Sequence, residues 1–181
     1  MSVNVIWSYT NGGTAISDLI NHGNIANGNT STAKTIYLRH DGASEITNVG
    51  VYIRQYSGTY NGDATAASDF AEIIAWGDNS ASNTFGGIHI NWDAVGAFPA
   101  ASWPLYNDKD PSNGFTHRTG VGDSEGNAVT IPTATGATTA GEIEAGASPN
   151  VRFQLRVQVP TAEDTTGTRQ FDQVIRYSFT S

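Results

Sequence analysis

The stretch "VRFQLRVQV", residues 151–159, decides the fold class. Val151, Phe153, Leu155, Val157 and Val159 alternate with Arg152, Gln154, Arg156 and Gln158. Side chains along a β-strand point to opposite faces with period two, so this segment is a strand with one apolar and one polar face. The apolar face demands a core. The polar face carries two arginines in a chain of formal net charge −8, and the question is what it meets.

The same alternation predicts further strands at about 3–9, 33–40, 46–56, 70–76, 86–92, 127–131 and 170–180. Ile36 and Leu38 share one face, with Tyr37 and Arg39 on the other; Val49, Val51 and Ile53 resume the apolar face after a turn signalled by Asp41-Gly42. These two segments are expected to form a hairpin. The segments 151–159 and 170–180 are expected to form another across "PTAEDTTG" (160–167). "FAEIIAWGD" (70–78) is compatible with a short helix capped by Ser68 or Asp69, but Ile73, Ile74 and Trp76 favour a buried strand. The one helix suggested by apolar spacing is "TAISDLINHG" (14–23), with Ile16, Leu19 and Ile20 at i, i+3, i+4 and Gly23 after its end. Two stretches lose the pattern, about 93–126 and 132–150, and are expected to be long projecting loops. The expectation is one all-β domain over 1–181, an antiparallel β-sandwich (Ig-like or jelly-roll) with at most one short helix.

Composition narrows the function. Charged residues make up 14% of the chain, against a usual level of about 25%. An acidic chain is a poor partner for phosphate backbones or anionic membranes, so neither nucleic acid nor membrane is expected. There is no cysteine, which removes disulfides and thiol chemistry. The opening "MSVNVIWSYTNGG" lacks the basic-then-apolar pattern of a secretory signal. The expected site of synthesis is therefore a cytoplasm, with exit by another route such as an assembled particle.

Catalytic constellations are not evident. His22, His40, His89 and His117 lie far apart, without metal-ligand spacing. Asp108, Asp110 and Ser112 in "YNDKDPSNGF" (106–115) have the first spacings of a calcium loop, but Gly114 is one position late and Thr119 stands where the closing Glu belongs. A polar turn explains the same residues, and Asp108 and Asp110 remain a weak metal candidate. The pair Glu142 and Glu144 is not placed in a cleft by any pattern. No enzyme activity and no cofactor are expected. Phe98, Trp103 and Tyr106 form an apolar group within the irregular region and are candidate contact residues.

The informative pattern is charge segregation. Lys34, Arg39, Arg54, Arg152, Arg156 and Arg176 fall inside predicted strands, whereas Asp41, Asp63, Asp78, Asp108, Asp110, Asp123, Glu163 and Asp164 fall in turns and loops. Exposed arginines covering a sheet explain this in an ordinary way, each surface pair contributing little. The functional reading is a docking face made of Arg39, Arg54, Arg152, Arg156 and Arg176, since arginine is enriched at protein interfaces.

"TAKTIYLRHDGASEITNVGVYIRQY" (32–56) resembles a strand-turn-strand of Ig-like domains in phage structural proteins. "NVRFQLRVQVPTAEDTTGTRQFDQVIRYSF" (150–179) looks like the closing hairpin of such domains. An acidic, cysteine-free, Gly/Thr/Ala/Asn-rich chain is also similar to tailed-bacteriophage virion proteins, and among these to capsid decoration (cement) proteins. The resemblance implies a non-enzymatic protein on the capsid exterior that bridges major capsid protein subunits, often as a homo-oligomer. It carries over no catalytic residue. The alternative expectation is a tail, fibre or vertex module that recognises host glycans.

Overall fold

In a computed structural model the chain is described at residues 3–62, 64–77, 87–92, 128–131, 140–145, 151–161 and 163–179. The strands are β1 (Val5–Ser8), β2 (Lys34–His40), β3 (Ile46–Gln55), β4 (Gly87–Trp92), β5 (Val129–Thr130), β6 (Val151–Gln158) and β7 (Phe171–Phe179), with one helix among the described residues, α1 (Ala66–Gly77). They form a four-stranded sheet of order β1-β2-β6-β4 and a three-stranded sheet of order β5-β3-β7. Every described pairing is antiparallel.

The alternation in β6 is realised residue by residue. Val151, Phe153, Leu155 and Val157 are buried, and the residues between them are half-buried. Phe153 sits at the centre, in register with Ile36 of β2 and Trp92 of β4, and meets Trp7 of β1 edge-to-face with ring centroids 6.0 Å apart. Its full burial stabilises by about 2 kcal/mol or more relative to exposure. From the other sheet come Ile46, Val49, Val51 and Ile53, all fully buried and in one cluster with the residues of β6. One irregularity marks β3: the register shifts between Thr47 and Gly50, and Asn48 takes a φ of 53°. Asparagine tolerates that left-handed conformation better than most residues, and the bulge lets the strand bend across the core.

Three expectations are corrected. Neither predicted hairpin forms: β2 pairs with β1 and β6 while β3 pairs with β5 and β7, and β6 and β7 lie in different sheets. Alternation tells which side chains face the core, not which strand lies beside which. A five-residue connection such as 41–45 spans roughly 17 Å when extended, enough to cross the roughly 10 Å between packed sheets. Asp41 ties the start of this crossing back to β1, accepting the backbone and side-chain N–H groups of Asn4 at 2.8 Å each. Those hydrogen bonds hold its carboxyl below the usual range. Buried His40 makes the corner, with Nε2 3.1 Å from the Ile143 carbonyl and Nδ1 accepting the Gly42 N–H at 3.1 Å.

Residues 70–76 belong to α1, not to a strand. The helix starts one turn before the expected caps, at Thr65, whose Oγ1 accepts the Ser68 N–H at 3.1 Å. Among its described side chains Asp69, Ile73 and Trp76 are buried, and Phe70 packs partly against the core. That is helical spacing, whereas Ile73 and Ile74 in succession had suggested a strand. Finally, 14–23 is not helical. The segment runs as an extended strap, with Ile16, Ile20 and Ile25 packed partly on the core and Leu19 59% exposed. The Asn21 side chain accepts the Gly23 N–H at 2.7 Å, and Gly23 has a φ of 77°. This Asx-type turn competes with helical hydrogen bonding.

Candidate functional site

The outward face of the four-stranded sheet is built by the polar positions of its strands. Tyr37 of β2 stands in register with Arg152 of β6, and Thr35 with Gln154. Arg39 is in register with Ile6 of β1. On the far side, His89 and Asn91 of β4 hold the register positions beside Arg156 and Gln154. Arg39, Arg152 and Arg156 therefore share one sheet face on which no register position carries a carboxylate. Arg152 and Arg156 are four residues apart on one strand, about 13 Å. All three arginines are half-buried. Burial lowers the Arg156 guanidinium from its ordinary value, and Arg39 Nη2 donates to the Gly13 carbonyl at 3.2 Å. The Gln154 amide reaches Thr35 Oγ1 at 3.5 Å. The side chains are thus laid along the sheet, presenting a flat surface rather than waving free.

The other two arginines of the expected face lie elsewhere. Arg54 and Arg176 belong to the three-stranded sheet, where Arg54 is in register with Asp172 and Arg176 with Gly50. Arg54 Nε meets Asp172 Oδ2 at 3.2 Å, and the same oxygen accepts from Ser57 Oγ at 2.6 Å. Arg176 Nη2 donates to Asn48 Oδ1 at 3.4 Å. The five-arginine candidate splits three to one sheet and two to the other. Phe98, Trp103, Tyr106, Asp108 and Asp110 lie outside the described residues.

A second constellation escaped the sequence reading. Arg169, just before β7, donates from Nε to Glu72 Oε1 of α1 at 2.8 Å and from Nη2 to Thr165 Oγ1 at 2.9 Å, with Asp69 Oδ1 at 3.8 Å. Glu72 first, and then Asp69 and Glu163, raise the guanidinium above its ordinary value. Asp69 is 1% exposed and also accepts the Tyr60 hydroxyl. Burial and that carboxylate push the Tyr60 hydroxyl up to about 12. Trp76 Nε1 donates to Glu163 Oε2 at 2.7 Å, and the Thr165 N–H to Glu163 Oε1 at 2.9 Å. Burial works against the Glu163 charge, but these bonds outweigh it and hold the carboxyl below its ordinary value.

Each carboxylate here is engaged with a donor, so the cluster is a clasp between α1 and the segment 163–170. Its sequence signal was Asp69, Glu72 and Trp76 at i, i+3, i+7, visible only once the segment is read as a helix. Among the described residues no group of three or more His, Asp and Glu is placed to hold a metal ion.

His22 pins the strap. Ser31 Oγ accepts the Val157 N–H at 2.9 Å, which leaves its own proton for His22 Nδ1, 3.2 Å away. Burial, and secondly the charge of Lys34, lower the imidazole to about 4. Comparisons with protein-family models, with curated proteins and with solved structures gave no match.

Proposed function

We propose that this chain is a non-enzymatic structural protein of a bacteriophage virion, one that decorates the capsid exterior and bridges major capsid protein subunits. The observation that carries the reading is the arginine face. A chain with 17 acidic and 9 basic residues puts Arg39, Arg152 and Arg156 on one sheet face with no carboxylate at its register positions. Such a face is complementary to an acidic protein surface. Complementary charge sets register and speeds encounter more than it adds affinity. Repetition by lattice symmetry supplies the rest, because many weak contacts combine into avidity. The protein is made in a host cytoplasm and resides on the particle, with the capsid protein as partner and homo-oligomeric contacts between neighbours.

The fold detail belongs to the same proposal. We read the two sheets as an Ig-like sandwich rather than a jelly roll. If the two-residue β5 is set aside, the four-stranded sheet has the order first, second, fifth, fourth, and β3 and β7 are the third and sixth strands. Ig domains have the order A-B-E-D in one sheet and C-F-G in the other, which the first six strands follow. A counterpart of strand G is absent among the described residues.

The test is the copy number in purified particles, by quantitative mass spectrometry against the major capsid protein. The expected result is a ratio near one or a simple fraction of it. A few copies per particle would move the chain to a vertex or tail, and absence would end the virion reading.

A further inference from the structure

The three-stranded sheet has two unequal edges. One is β5, two residues long, and the Ile131 carbonyl just after it accepts the Gly141 N–H at 2.8 Å. The other is β7, nine residues long. Among the described residues the main chain of β7 is hydrogen-bonded to β3 and to no other segment. Along an edge strand, alternate residues turn their N–H and C=O groups away from the sheet, which makes a template for another strand. Proteins commonly block such edges with proline, lysine, a bulge or a very short strand. The strand "FDQVIRYSF" (171–179) has no proline and no lysine, and the one register shift of this pair lies in β3. Phe171, Val174, Ile175 and Tyr177 are half-buried, and Phe179 is 44% exposed, whereas the apolar side chains of central β6 are buried.

The charge pattern of β7 names the strand that completes it. When two identical strands pair antiparallel about a twofold axis, the numbers of opposed residues add to a constant. With the axis at Val174, Asp172 of each copy stands opposite Arg176 of the other, on the same face of the sheet. Phe171 then meets Tyr177, and Ile175 meets Gln173. Asp172 has an oxygen to give. Its Oδ2 takes Arg54 Nε at 3.2 Å and Ser57 Oγ at 2.6 Å, and no described residue donates to its Oδ1. Ion pairs at such a junction contribute little strength and set the register instead. Main-chain hydrogen bonds supply the affinity when a strand is added to a sheet edge.

We infer that β7 pairs antiparallel with β7 of a second copy, centred on Val174, and joins two three-stranded sheets into one of six strands. The twofold axis is normal to the joined sheet, so each face stays on its own side. Both four-stranded sheets then lie on one side of it, with their arginine faces turned the same way. The pairing is independent of the docking proposed above, because each copy keeps its own arginine face and docks whether or not it pairs.

The experiment is sedimentation velocity on the full chain at pH 7, with no capsid protein present. The expected result is a concentration-dependent species of twice the mass of one chain. The chain has no cysteine, so a single introduced thiol reports the register. Val174→Cys on the axis brings two Cα atoms to about 5 Å, within disulfide reach, and gives a dimer that only a reductant separates. Ser178→Cys sets the two thiols eight residue steps apart, roughly 27 Å, and does not link. Arg176→Asp leaves the Arg54–Asp172 pair in place but opposes carboxylate to carboxylate, and weakens the dimer about tenfold or more while circular dichroism stays unchanged. A monomer at every concentration up to about 1 mM, the weak end of specific association, would overturn the proposal. So would linkage through Ser178→Cys as ready as through Val174→Cys, or an undiminished dimer of folded Arg176→Asp. Where Arg176→Asp does not fold, the two thiol variants decide.

Discussion

His22 shows how one side chain couples the strap to pH. In the folded chain its imidazole is lowered to about 4, whereas an unfolded histidine titrates near 6.5. Above pH 6.5 both states hold the ring neutral and the difference has no effect. As pH falls from 6.5 towards 4 the unfolded chain takes up a proton that the folded chain refuses, so stability is lost across that window. The expected loss is about 2 kcal/mol, allowing for the water that still reaches the ring. Urea unfolding at pH 7, 5.5 and 4.5 checks it: His22→Gln, whose amide oxygen can also accept from Ser31, should flatten the slope.

Arg169 makes the opposite demonstration. Arg169→Met leaves buried Asp69 and its neighbours Glu72 and Glu163 without their cation. The expected cost is about 3 kcal/mol in urea unfolding at pH 8. A loss near zero would mean that the carboxylates do not need this cation.

Among the elements, strands were readable and their pairing was not. Every predicted strand except 70–76 is present within one or two residues of its expected limits. Val151, Phe153, Leu155 and Val157 needed only period two to declare themselves. What alternation cannot carry is the neighbour relation, and both expected hairpins dissolved into crossings between sheets. The misreading of α1 came from Ile73, Ile74 and Trp76 outweighing the helix cap that Ser68 or Asp69 offered. With the helix unseen, the clasp of Asp69, Glu72, Trp76 and Glu163 was unseen too, because its members meet only through a helical turn. Of the expected docking arginines, those on β2 and β6 converge. The false β6–β7 hairpin had added Arg176 to them. Thr65→Ala tests the cap directly: it should cost about 1 kcal/mol in thermal or urea unfolding. No change would show that tertiary packing alone holds the first turn.

For the molecule as a whole, the two sheets enclose one core cluster and turn different surfaces outward. One carries Arg39, Arg152 and Arg156; the other carries Arg54 and Arg176. The proposed role assigns docking to the first surface alone. Attachment driven by that face should weaken with added salt, since the Debye length shrinks from about 10 Å at 0.1 M to 3 Å at 1 M.

The most direct test is co-sedimentation with empty capsid shells of two charge reversals, one on each sheet. Arg152→Glu with Arg156→Glu should abolish attachment while circular dichroism stays unchanged, and Arg54→Glu with Arg176→Glu should leave attachment intact. Attachment that survives the first reversal, or is lost equally in both, would contradict the assignment of the arginine face as the dock.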